Sequence, residues 1–95
     1  MADVYPSGFS FQQAVTASAV TLAAQSVSAY VNVKAKSTNA GNVFVAFKSS
    51  VTTADDGSGI GYRLLPGESM SWSVANTNML YIIGTASDVV YVTGN

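Results

Sequence analysis

Apolar and polar residues alternate with a period of two through most of this chain, and polar or Pro-Gly segments break the alternation into short runs. Val27, Ala29, Val31, Val33 and Ala35 share one face, with Ser28, Tyr30, Asn32, Lys34 and Lys36 on the other. That pattern predicts a half-buried strand with a wet outer face. Residues 37–42 read as a turn, because Asn39, Gly41 and Asn42 tolerate left-handed backbone angles. A strand over 42–47 follows, with Val43, Val45 and Phe47 on one face and Phe44 on the other, and the two strands are expected to pair as an antiparallel hairpin. Residues 49–59 read as an exposed loop. Residues 60–65 form a short strand closed by Pro66-Gly67, with Pro at the second and Gly at the third position of a type II turn.

Met70, Trp72 and Val74 then alternate with Ser69, Ser71 and Ser73, the cleanest period-two run of all. Residues 79–83 are apolar nearly throughout, as a central strand covered on both sides would be, and 89–93 supply the last strand. Residues 14–24 are two-sided: their alanines suit a helix, but Val15, Thr16, Val20 and Thr21 favour a strand. The spacing of Val20, Leu22 and Ala24 assigns 19–24 to a strand. The expected fold is therefore all-β: a small antiparallel β-sandwich, jelly-roll-like, of seven or eight short strands. Residues 1–13, with Pro6, Gly8 and the spaced aromatics Tyr5, Phe9 and Phe11, read as an extended N-terminal arm, and 14–95 as the single sandwich domain.

Composition narrows the chemistry. Ninety-five residues without cysteine leave neither disulfides nor thiolate metal sites to support a small core. Without histidine, the usual transition-metal ligand and the usual general base near neutral pH are missing too. Association with copies of itself or with a larger surface is the support that remains. Only 9% of residues are charged, against about a quarter in an average domain, so Ser, Thr, Asn and Gln must supply the polar surface. A net charge of −1, with Lys34, Lys36, Lys48 and Arg63 as the only cations, gives no footprint for nucleic acid. No stretch approaches the ~18–20 apolar residues of a membrane-spanning helix, and residues 1–6 lack the basic and apolar regions of a secretory signal. The expectation is a chain made in the cytoplasm and kept as synthesised.

Each candidate site has a plainer alternative. Asp55-Asp56-Gly57-Ser58-Gly59 is the one acidic cluster, but it lacks the ligand spacing of a calcium loop and reads better as a solvated turn. The glycines of 57–61 precede no helix that could point amides at phosphate. Asp3, Asp55, Asp56, Glu68 and Asp88 are scattered, and no serine has a histidine or a suitably spaced lysine beside it. The chain is expected to be no enzyme, with no catalytic residues, cofactor or metal. Trp72, Tyr30, Tyr62, Tyr81 and Tyr91 offer either a sugar-stacking platform or core packing, and Trp72 shares a face with Met70 and Val74, which favours the core. Tyr30 lies among Ser28, Asn32 and Lys34, a setting that suits an interface. Tyr5, Phe9 and Phe11 either dock the arm on a partner or cover one end of the sandwich.

An ordered series of motifs runs through most of the chain: Lys34-Ala35-Lys36-Ser37-Thr38-Asn39-Ala40-Gly41-Asn42, Val43-Phe44-Val45, Leu64-Leu65-Pro66-Gly67-Glu68-Ser69, and the Asn-containing turn that leads from Asn76 to Ile83. The series resembles the small all-β virion structural proteins of tailed bacteriophages, the capsid decoration and head- or tail-associated proteins. It departs from them after Val45, where Ala46-Phe47-Lys48 replaces a frequent Gly-Gly. The resemblance implies a capsid decoration or cement protein that binds and stabilises the assembled head. It further implies a homo-oligomer, a trimer, with the major capsid protein as partner and the virion as location. A carbohydrate- or receptor-binding module of a head or tail fibre is the alternative. On this reading Tyr5, Phe9, Phe11 and Tyr30 are the expected partner-binding residues.

Overall fold

The strands pair from the two ends of the chain inward. The structure is a computed structural model and describes residues 8–95. β1 (Phe9–Ala14) pairs with β8 (Val89–Gly94), and β2 (Val20–Thr21) pairs with β7 (Tyr81–Ile83). β3 (Val31–Ala35) pairs with β6 (Ser69–Trp72), and β4 (Val43–Ala46) with β5 (Tyr62–Leu64), every pairing being antiparallel; the hairpin expected between the strands before and after residues 37–42 does not form, because that turn carries the chain from one sheet to the other. The result is one long hairpin with its tip at the β4–β5 connection. Rolling it up adds the β3–β8 and β4–β7 pairs and divides it into two four-stranded sheets, β1-β8-β3-β6 and β2-β7-β4-β5. This is the expected all-β sandwich, and its strand order is that of a jelly roll.

Between the sheets lies one core. Val31, Val33, Ala35, Val90 and Val92 come from the first sheet, and Val43, Val45, Leu64 and Ile82 from the second, with Val15, Leu22 and Leu80 closing the ends. The alternation of β3 puts Val31, Val33 and Ala35 inward as the periodicity requires. β4 is buried on both faces, because the β4–β5 connection folds back over the outer face of its sheet and packs Val51 on Phe44 and Ala46. The expected exposed loop thus carries one buried anchor.

Several boundaries differ from the sequence pattern, each for a local reason. From Phe9 onward the expected arm is strand β1, hydrogen-bonded to β8 along its length, so the sandwich begins before residue 14. Residues 1–7 of that arm, Tyr5 among them, lie outside the described residues. β3 starts at Val31 rather than Val27, because the amides of Ser28, Ala29 and Tyr30 all turn toward the Asn95 carbonyl oxygen at 2.9, 2.7 and 3.3 Å. β2 is only two residues long, since Gln13 engages the backbone on either side of Leu22. Phe47, expected on the same strand face as Val43 and Val45, follows the end of β4 and is exposed.

Two turns hold the roll in register. Asn39 acts as a strand segment of its own, its side-chain amide donating to the Val89 carbonyl and its oxygen accepting from the Val89 amide, both at 2.9 Å. The buried Asp88 carboxylate accepts the next two amides, Ala40 at 2.9 Å and Gly41 at 3.0 Å. A Cβ at position 41 would press on the Thr85 hydroxyl, which would have to turn away. At the other turn Gly67 has φ +87, the Glu68 amide donates to the Leu65 carbonyl, and the Glu68 carboxylate accepts the Leu65 amide. The type II turn is as expected. Asn39→Ala leaves the Val89 amide without its partner and is expected to cost about 1–3 kcal/mol. Urea denaturation should show this as a lower midpoint with an unchanged slope.

Candidate interaction site at the open edge

β5 and β6 flank the Pro66-Gly67 turn and form the outer strands of their two sheets on the same side of the roll. Directly opposed residues of an antiparallel pair share a face. Tyr62 and Leu64 lie opposite Val45 and Val43, and Met70 and Trp72 lie opposite Val33 and Val31, so all four are directed inward. Only Leu64 is covered. Tyr62 is 51% exposed and Met70 38%, while Trp72 is partly buried against the core. Tyr62 meets Trp72 edge to face across the gap, with ring centroids 6.2 Å apart. Ile60 and Leu65, before and after β5 in the chain, are exposed as well. Here the inward side chains of both outer strands are only partly covered, with the Tyr62–Trp72 contact spanning the gap.

The opposite side of the roll is closed differently. Gln13 of β1 donates from its side-chain amide to the Thr21 carbonyl at 2.9 Å and accepts from the Ala23 amide at 2.7 Å, tying the two sheets together. Phe9 and Phe11 stack with centroids 6.4 Å apart and pack partly against the core, so both serve the sandwich directly. Tyr30 is exposed at the entry to β3. A shallow groove of about 450 Å³ runs along β1 and β8, lined by Ser10, Phe11, Gln12, Tyr91, Val92 and Thr93, without a charge.

The remaining aromatics do not form a platform. Tyr91 lies on the outer face of the first sheet, Tyr81 packs on the outer face of the second, and Tyr62 and Trp72 belong to the open edge. The described acids each have a partner: Asp55 pairs with Arg63 at 2.7 Å, Asp56 with Ser58, Glu68 with the Leu65 amide, and Asp88 with the amides of residues 40 and 41. No three acidic residues converge on a point that could hold a metal ion among the described residues. No helix there is long and apolar enough to cross a membrane.

The Ser58 hydroxyl and then its amide donate to Asp56, which holds this carboxyl below its ordinary value of 3.8. The turn's contribution is therefore complete above that value and fades as pH falls through the lower folded value. In an NMR titration the Ser58 amide should respond below the ordinary aspartate range.

Met70 and Tyr62 are the residues that the sequence pattern placed without their role. Met70 sits in the period-two run read as core, and the register confirms its direction while the missing neighbour leaves it exposed. The one available signal was that a Pro-Gly turn joins the two runs, which places both strands on one side.

No family model matches the sequence, and no curated protein matches it. Among solved structures the fold is similar to a Bacillus endospore appendage protein from a family of disulfide-linked pili. The TM-score is 0.51 at 19% identity, over 94% of this chain and 85% of that one. At that identity the likeness carries the fold. It overturns the expected role as a bacteriophage capsid decoration or cement protein, with its fibre-module alternative, because the matching architecture belongs to a pilus protein. The likeness lends no support to the expected trimer or to the capsid partner.

Leu64→Ala and Met70→Ser separate a filled from an unfilled inward position. The first is expected to cost about 2–5 kcal/mol and the second under about 1 kcal/mol, both read from thermal or urea unfolding of the dilute protein.

Proposed function

We propose that this chain is a non-enzymatic structural subunit that assembles with copies of itself through non-covalent contacts. The observation that carries this reading is the open edge, where Tyr62 and Met70 point inward by register yet remain exposed. Covering such surface contributes roughly 25 cal/mol per Å², offset by association costs of several kcal/mol. The low charge supports the reading, since neighbouring copies repel one another weakly. The fold likeness to a pilus protein supports it as well. A disulfide-linked assembly is closed to this chain, which has no cysteine, so its contacts are non-covalent.

Light scattering coupled to size exclusion should show a mass that rises with concentration, and negative-stain images should show extended particles. Met70→Lys places a charge on the edge strand and is expected to hold the folded protein at the monomer mass. A wild-type protein that stays monomeric into the millimolar range would remove the reading.

A further inference from the structure

We propose that β6 of one copy pairs with β1 of the next, continuing the β1-β8-β3-β6 sheet from copy to copy. Phe9 then lies opposite Trp72, and Phe11 opposite Met70. This rests on the self-assembly reading above and names its contact.

Of the four sheet edges among the described residues, two are guarded. β2 is two residues long and its Thr21 carbonyl already accepts from Gln13. β5 carries Arg63, held by Asp55. β1 and β6 contain neither charge nor proline, and they are the two ends of the same sheet. Every neighbouring pair in that sheet is antiparallel, so β6 runs opposite to β1. A second copy advanced along the sheet, without inversion, therefore presents its β1 antiparallel to β6 with its inner face still inward. The ladder needs no change of backbone direction.

The side chains select one register. With Ser69–Trp72 set against residues 9–12, the inner face pairs Phe9 with Trp72 and Phe11 with Met70, joining four partly covered apolar side chains. The outer face pairs Ser10 with Ser71 and Gln12 with Ser69, extending the polar rows that already contain Asn32 and Thr93, and Lys34 and Tyr91. A slip by two residues one way sets Gln13, which is engaged by β2, against Met70. The opposite slip sets Glu68 against Phe11. Both are worse on the inner face. Charge does not oppose the contact. Lys34 recurs once per copy, about 19 Å apart across four strands, beyond the ~8 Å screening length of physiological salt.

Four residues a side are far fewer than the 20–30 of a standard interface, so the contact is weak and concentration-dependent. The pairing is heterologous, and with the twist of the sheet it turns each copy roughly a quarter turn, giving a filament and not a closed pair.

The chain has no cysteine, so introduced thiols report the contact directly. Ser10→Cys, Ser71→Cys and the double variant would be oxidised at assembling concentration, with circular dichroism as the check on folding. Within one copy these positions are three strands, about 14 Å, apart, too far for a disulfide. A reducible ladder of multimers from the double variant, and a dimer from the two single variants mixed, is the expected result. Dimers from Ser71→Cys alone, or scattering that shows assembly without the 10–71 cross-link, would overturn this contact while leaving self-assembly standing. Wild-type protein that is monomeric at every concentration, with no cross-link, would overturn both.

Discussion

A rolled-up hairpin of eight strands pairs its inner strands on both sides within two sheets, but among the described residues it has no further strand with which to close the two sides of the roll. Side chains must do that work, and the rest of this structure depends on how they do it. On the β1–β2 side Gln13 donates to one backbone carbonyl and accepts from a nearby amide, which holds the sheets together with a single residue. On the β5–β6 side no such bridge exists among the described residues. Tyr62 and Trp72 meet edge to face instead, and the inner surface beside them stays open. The asymmetry between the two sides gives the molecule a distinct front and back.

Much of the fold was legible where a strand buries one face. β3 alternates cleanly, and Pro66-Gly67 specified its own turn. What stayed hidden depends on partners distant in sequence. Asn39 reads as a turn residue, and nothing nearby reveals that it completes the ladder of Val89 or that Asp88 holds the next two amides. Val51 lies in a stretch of small polar residues, and only the return of the chain over Phe44 buries it. The early start assigned to β3 failed because the Asn95 carbonyl draws off three successive amides, a contact with no sequence signature.

The same structure explains why motifs that resembled phage virion proteins were a poor guide to role. Asn39 and Gly41 clamp one turn against the β7–β8 connection, and Pro66, Gly67 and Glu68 build another. These residues solve the problem of turning a jelly roll's corners. They report the architecture, and architecture alone does not carry function. Candidate function lies instead where the local pattern and the surroundings disagree, at inward residues left without a neighbour.

Edge protection sharpens that point. Sheet proteins usually blunt their edges with charge, proline or brevity. This chain has few charges to place, yet Arg63 stands on β5 with Asp55 to fix it, and β2 is kept short. Had β1 and β6 needed the same protection, single lysines at Ser10 and Ser71 would have supplied it, because both positions are exposed and neither contributes to the core. In the proposed assembly, leaving both ends of one sheet neutral while guarding the ends of the other would restrict association to one direction. A covalent staple would then be unnecessary, since selectivity would come from which edges are guarded and strength from the number of copies added in a row.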